Sequence, residues 1–368
     1  MITTTPAPGR PSPGHRRPGT PLRIAAASLS LVLALSGCVQ SGRTSHPDNF
    51  EGETACPVEP DPSITTSARI AWQAIPNGDL VVKDLELLEA CMPEADVSWV
   101  KMNSGGDVIQ AFGSDSLDIA QVGSSPAVKA ASPPLSKDIK AIWISDVIGQ
   151  AESLVAKDPV VEELADLEGK TIAVPFGSTA HYSLLTALDE AGLGDAVRVI
   201  NLAPDAILAA WQRDEIDAAW IWQPTQAELL EEGHAILSSE DSAEMGAPTY
   251  DMVAGTGSFV TENPEFMRMW SIVQGEGARL LTEEPETAAT SIAVQLDIPP
   301  VDAEQLLEGY IFPTLEEQAG PDYFGGGLAD DFRSTAEFLE GQQEIDALAE
   351  DGDYQEMPYS EAIEEAST

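Results

Sequence analysis

The chain reads as an α/β protein built on mostly parallel sheet, in two similar lobes. Three observations predict this. From residue 68 onward, short β-branched apolar runs alternate with helical patterns, the order that a parallel sheet with crossover helices requires. One stretch, Lys170 to Leu188, shows the unit in full. It has an apolar run from Thr171 to Val174, a stop at Pro175 and a polar turn Gly177-Ser178-Thr179, and then Tyr182, Leu185 and Leu188 at helical spacing. The third observation is an internal echo. Asp118-Ile119-Ala120-Gln121-Val122-Gly123-Ser124-Ser125-Pro126 runs from an aspartate through an apolar strand and a polar turn to proline. About a hundred residues later Asp217-Ala218-Ala219-Trp220-Ile221-Trp222-Gln223-Pro224 repeats that layout, and proline suits the first position of a helix in each copy.

Residues 1–37 read as an export signal. Arg10, Arg16, Arg17 and Arg23 precede an apolar run, Ile24 to Leu35, that is too short for an ordinary membrane span. The sequence Leu35-Ser36-Gly37-Cys38 resembles the lipobox of bacterial lipoproteins. That resemblance implies cleavage before Cys38 and fatty-acyl (palmitate-type) chains on it, which would anchor the protein to the outer face of the cell membrane. Residues 38–67 are rich in Ser, Pro, Thr, Glu and Gly without periodicity, and are expected to form a flexible tether. With Cys38 used by lipid, Cys56 and Cys91 remain, and an exported chain with two cysteines most simply pairs them.

Order is expected from Ala68. Ala68 to Gln73 is a strand running towards a polar end, residues 78–92 a helix, and Val97 to Val100 a second strand. Asn103-Ser104-Gly105-Gly106-Asp107 is a turn leading into a helix through Phe112. After the second copy of the echo the pattern shifts. Tyr250 to Val260 reads as a strand with glycines, and amphipathic helices are expected over about 263–282, 285–296, 301–310 and 328–342. The last stretch, 349–368, is acidic and is expected to be loose.

With 62 acidic and 18 basic residues the formal net charge is −44. Nothing in such a chain neutralises phosphates, so binding to nucleic acid or to an anionic membrane through charge is excluded. The acidity reads as a solvated surface. There is no C-x-x-C and no Cys/His cluster, so neither a metal site nor a cofactor is read. The motifs G-x-S-x-G and H-E-x-x-H and the P-loop are all missing, and no cysteine is left free for catalysis. A hydrolase would have to assemble His181 with a serine and an acid from elsewhere, so an enzyme is not expected.

Four segments, VGSSPAVKAAS, AVPFGSTAHYSLLTAL, AWQRDEIDAAWIWQP and GAPTYDM, resemble the substrate-binding proteins of bacterial ABC importers for taurine and related alkanesulfonates. The resemblance covers roughly residues 68–345. It implies a type II periplasmic-binding-protein fold, whose two α/β lobes close on a small solute held in the cleft between them. The first lobe would be 68–155 plus 250–345, the second 156–249, and 346–368 an acidic tail. A monomer of this family would hand its ligand to a membrane permease driven by a cytoplasmic ATPase. Taurine is the expected ligand. Another alkanesulfonate, nitrate, bicarbonate or a thiamine-precursor pyrimidine is the alternative on the same fold.

Taurine joins a sulfonate to an ammonium, so its site needs neutral donors at one end and carboxylates at the other. The sulfonate end is expected at Ser124 and Ser125 in one lobe and at Ser178, Thr179, His181 and Tyr182 in the other, with Ser104 adding a third turn. Hydroxyls and the unpaired first-turn N–H groups of helices would be the donors. N-capping is the other use of these serines, and the two are compatible. His181 stays open between donating to the sulfonate and packing between sheet and helix. The amine end is expected at Asp251 and Glu152, close to the two crossings between lobes. Trp222 would stack on the ammonium or the methylenes, or else belong to the core, and Gln73 sits at a strand end suited to a donor.

Overall fold

The computed structural model describes residues 55–367. The signal segment, Cys38 and the first part of the tether lie outside the described residues. In chain order the strands are β1 (Ser67–Trp72), β2 (Asp96–Lys101), β3 (Ile119–Gly123), β4 (Ile139–Ile148), β5 (Glu152–Ala156) and β6 (Thr171–Val174). They continue with β7 (Arg198–Asn201), β8 (Ala218–Trp222), β9 (His234–Ser238), β10 (Tyr250–Thr256) and β11 (Tyr310–Ile311). They form two sheets flanked by helices, ordered β11-β4-β10-β3-β1-β2 and β7-β6-β8-β5-β9.

The two sheets share a plan. In each, the first strand lies between the second and third, all parallel: β1 between β2 and β3, and β6 between β7 and β8. Beside the third strand lies an antiparallel one that has just entered from the other lobe, β10 against β3 and β5 against β8. The echoed segments are thus β3 and β8, equivalent strands of the two sheets. Both are buried along their whole length, which is why each reads as an apolar run rather than an alternation. The crossing to the second sheet falls before Glu152, not after residue 155 as expected, because β5 already pairs with β8 and β9.

Several boundaries differ from the sequence reading for local reasons. The helix expected at 78–92 is two, Gly78–Asp84 and Leu87–Cys91, parted at Glu86, whose φ of 51° is left-handed. The strand expected to reach Val260 stops at Thr256. Gly257 N donates to Asp138 O at 2.9 Å, which draws the chain off the ladder and into the helix Gly257–Glu262. The helix expected to reach 310 ends at Leu306, because Gly309 (φ 86°) turns the chain so that Tyr310 and Ile311 pair with β4. Neither proline of the echo sits at the first helical position. Ser124 opens one helix, and Pro224 precedes the helix Thr225–Leu230.

Both ends of the described chain are packed where loose segments were expected. Cys56 is bonded to Cys91, Asp61 N donates to Cys91 O at 2.8 Å, and Ile64 is buried. At the other end Tyr354, Met357, Ala362 and Ile363 are buried, apolar anchors set in an acidic background that masks them in composition. Ala141 N donates to Met357 O at 2.7 Å and Tyr359 N to Ala141 O at 2.8 Å. The segment thereby covers the part of the β4 edge that the two-residue β11 leaves bare.

Each sheet has its own core, with Trp143, Trp270 and Phe332 in the first and Trp211 and Trp220 in the second. Three side chains cross over. Tyr182 packs into the first core, and Ile75 and Tyr310 into the second, so the two halves meet through apolar contact as well as across a cleft.

The disulfide closes a loop between residues 35 apart in sequence. Replacing Cys56 and Cys91 by serine is expected to lower stability by about 3–4 kcal/mol in the chain-entropy account. Urea unfolding of the oxidised protein and the double variant measures this; coincident midpoints would mean that the bond constrains nothing.

Candidate functional site

Three helices begin where the sheets face each other. Gly105–Gly113 follows β2, with the Ser104 side chain accepting from Asp107 N. Ser124–Ala131 follows β3 directly. Thr179–Glu190 follows β6, and the Ser178 hydroxyl caps it by accepting from His181 N at 3.2 Å. Short links from parallel strands bring helix N-termini to the carboxyl edge of the sheet, where first-turn N–H groups lack intrahelical partners and favour an anion.

A cavity lies at this junction. Gly105, Gly123 and Pro126 line it from the first lobe, and Ser178 and Thr179 from the second. Gln73, Ile75, Glu152, Trp222 and Asp251 complete the wall. The space is narrow. It amounts to about 270 Å3 between atom surfaces, part of it open to solvent. Glycine at 123 is what lets the lobes approach so closely, since a Cβ there would lie 2.5 Å from Thr179 Cγ2. At Gly106 a Cβ would lie 3.1 Å from Phe176 O.

One wall is acidic. Glu152 opens β5 and stands opposite Trp222 in the ladder, while Asp251 stands in β10 between Gly123 of β3 and Asp146 of β4. The Glu152 carboxylate accepts from Thr179 Oγ1 at 2.7 Å and from Ser239 Oγ at 2.6 Å. Burial pushes its carboxyl up to about 7 in spite of these bonds. Burial, and then the charge of Glu152, push Asp251 up to about 8. Among the described residues no basic group is ion-paired with either.

The other expected residues divide. Ser178 and Thr179 line the cavity, though the Ser178 hydroxyl donates to Pro175 O at 2.7 Å and that of Thr179 goes to Glu152. Gln73 lines it too, its amide donating to Gln121 O at 3.0 Å, and Trp222 separates it from an adjoining hollow towards Lys101 and Asp205. Ser104, Ser124, Ser125, His181 and Tyr182 stand outside the wall. Ser124 Oγ accepts from Tyr250 N at 3.2 Å, and Ser125 Oγ donates across the lobes to Ser178 O at 3.2 Å. Ser125, Ser178 and Thr179 spend their hydroxyl protons on protein acceptors, whereas Ser104 and Ser124 only accept, and the donors left for an anion at the wall include main-chain N–H groups.

His181 lies behind the cavity, in a hollow beside the Lys129–Glu344 ion pair. Its Nδ1 accepts from Gly177 N at 3.4 Å and its ring stacks on Phe176 at 4.4 Å between centroids. Burial holds the imidazole neutral, down at about 4. Tyr182 packs edge-on against Phe338. Tyr182 thus joins the two lobes. The sequence reading missed Gly105, Gly123, Pro126 and Ile75 as lining residues, and Asp146 beside Asp251. A lone acid inside the apolar run Ile142-Trp143-Ile144-Ser145-Asp146-Val147-Ile148 was the available signal for the last.

The sequence and the fold have counterparts among known proteins. The family model described as NMT1/THI5 like matches residues 95–288. The taurine-binding periplasmic protein of Escherichia coli is 33% identical over 265 residues, 70% of this chain and 81% of that protein. This chain belongs to the NMT1/THI5-like family. Solved structures agree on the fold. The alkanesulfonate-binding protein SsuA from Xanthomonas axonopodis pv. citri, bound to MOPS, superposes with a TM-score of 0.66 at 21% identity, covering 82% of this chain and 99% of its own. The nitrate-binding protein NrtA from Synechocystis PCC 6803 gives 0.63 at 14% identity, over 82% and 88%. The relatives named here are binding proteins, not enzymes.

Gly123 has φ −68°, a conformation open to any residue, so Gly123→Ala tests the cleft without backbone strain. The variant is expected to fold normally yet fail to close, weakening ligand binding at least about tenfold. Adding Thr179→Ser, which removes Cγ2 and keeps the hydroxyl on Glu152, is expected to restore closure. Calorimetry with near-ultraviolet dichroism reads both effects. Full affinity in the single variant would show that closure does not depend on this contact.

Proposed function

We propose that this protein is the extracytoplasmic solute-binding component of an ABC importer for sulfonates, and that its ligand is taurine. The observation that carries the ligand is the meeting of opposites in one narrow cavity. Helix N-termini offering neutral N–H donors line it together with two buried carboxyl groups that have no basic partner among the described residues. A sulfonate stays ionised at physiological pH and suits the helix N-termini. An ammonium between Glu152 and Asp251 would relieve their mutual repulsion. At an effective dielectric constant of about 20, each contact of about 4 Å supplies roughly 4 kcal/mol of attraction before desolvation is subtracted. A plain anion such as nitrate or bicarbonate would favour the protonated acids and leave them without a cation to stabilise their ionised form. The taurine-binding relative from Escherichia coli supports the same reading.

In this reading Gly105, Gly123, Ser178 and Thr179 present the sulfonate end through main-chain N–H groups, Glu152 and Asp251 take the ammonium, and Trp222 and Gln73 close the wall. Cys38 carries the lipid that keeps the protein at the outer face of the membrane. The loaded monomer delivers taurine to a permease powered by a cytoplasmic ATPase.

Calorimetric titration of the purified protein with taurine, ethanesulfonate, β-alanine and nitrate tests the assignment. Taurine is expected to bind tightly and ethanesulfonate, which lacks the amine, poorly. Asp251→Asn is expected to leave the fold intact and weaken taurine by roughly 2–5 kcal/mol, the cost of leaving a desolvated charge unpaired. Ethanesulfonate binding as well as taurine would remove the amine pocket and leave a sulfonate site alone.

A further inference from the structure

Behind the acidic wall lies a residue that no role assigned so far accounts for. Asp146 is fully buried in β4, and neither of its carboxylate oxygens has a hydrogen-bond partner. It is the direct antiparallel partner of Asp251, which places both side chains on one face of the sheet. The titratable groups facing it come from three other strands: Asp251 from β10, Glu152 from β5, and Tyr310 from β11, whose buried phenol is subject to all three acids. The charges acting on Asp146 are Asp251 and Glu152, both of its own sign.

A buried carboxylate with no donor, beside two others, does not stay ionised; the group takes up a proton instead. We propose that Asp146 is a third acid coupled to the amine pocket, and that with it the cluster keeps a proton in the empty cleft which leaves when an ammonium group enters. The step balances simply. The cluster loses one proton to solvent, one further carboxyl becomes a carboxylate, and the ammonium of the ligand replaces the positive charge. No bond of the ligand is made or broken. Asp146 does not line the cavity, so it acts through Asp251 and Glu152 as a positioning residue that sets how many protons those two share.

The sign follows from burial and like charge. Both favour the protonated cluster when the cleft is empty, and the ligand favours the ionised one. Affinity for an amine therefore rises with pH until the empty cluster has lost its protons, and falls as pH drops through the acidic side of neutrality. This rests on the cleft being an amine site, so the test has a part that does not depend on taurine.

First, the carboxyl C=O stretch of the empty protein is recorded by infrared difference spectroscopy at neutral pH, for wild type and for the isosteric Asp146→Asn. A protonated-carboxyl band present in wild type and reduced in the variant is expected, and no such band overturns the proposal. Second, taurine is titrated into wild type at several pH values, in buffers of different ionisation heat. Release of about one proton per taurine is expected, with affinity falling about tenfold from pH 7 to pH 6. In Asp146→Asn the same step is expected to cost less than about threefold, with less proton release. Equal proton counts and parallel pH profiles overturn the role of Asp146, and wild type binding taurine without proton exchange does so even if the variant fails to fold. A clear Asp146-dependent band with no heat from taurine would instead uphold the buried proton and defeat the choice of ligand.

Discussion

The region between the lobes depends on one constraint: three acids are held out of water and, among the described residues, no basic side chain pairs with them. Withdrawing a carboxylate from solvent costs several kcal/mol even after relaxation, and a second beside it adds to that cost. Glu152 meets part of it through the hydroxyls of Thr179 and Ser239. Asp251 and Asp146 have no comparable support, and their carboxyls are pushed well up from the ordinary range. A site under this strain discriminates by sign. In the proposed reading an ammonium group would favour the ionised acids while the free first-turn N–H groups beside them favour an anionic group, so a molecule carrying both charges satisfies the two together.

Topology explains why the acids meet. Each crossing strand enters its new sheet at the edge of the cleft, and each carries its acid at that entry, Glu152 as the first residue of β5 and Asp251 as the second of β10. Both strands lie against the third strand of their lobe, whose end runs straight into the turn at the cavity. The duplicated plan therefore delivers one carboxylate per lobe to one place without any loop being tailored for it.

Much of this was readable beforehand. The echo marked β3 and β8, the turn at Gly177 marked the start of a helix at the cleft, and the places of Glu152 and Asp251 near the crossings put them on the wall of the cavity. What could not be read was how hydroxyls are shared. Ser125 reads as a ligand donor in the sequence, yet its hydroxyl donates across the lobes to Ser178 O, while Ser124 accepts from Tyr250 N and keeps its own proton. His181 was undecided for a similar reason, because spacing along a helix does not say which side of the first turn faces the neighbouring lobe. Asp146 escaped notice since its partner in register is over a hundred residues away, and the packed C-terminal segment did because a few buried apolar residues weigh little in an acidic average.

The placement of β10 also bears on how the molecule assembles. It is an interior strand of the first sheet, between β3 and β4, yet it is made only after the whole of β5 to β9. Until it arrives, β3 and β4 each present a bare edge. The second sheet has no such gap, being built from one continuous stretch of chain. Once that stretch is folded, its two ends emerge side by side, with Ile148 N bonded to Thr249 O at 3.1 Å. A loop of roughly a hundred residues is then already closed, and the entropy that would oppose pairing β10 with β4 has largely been removed. The contiguous half is in this sense a template for the interrupted one. Damage to its core would be felt first as a failure of the other half to complete its sheet.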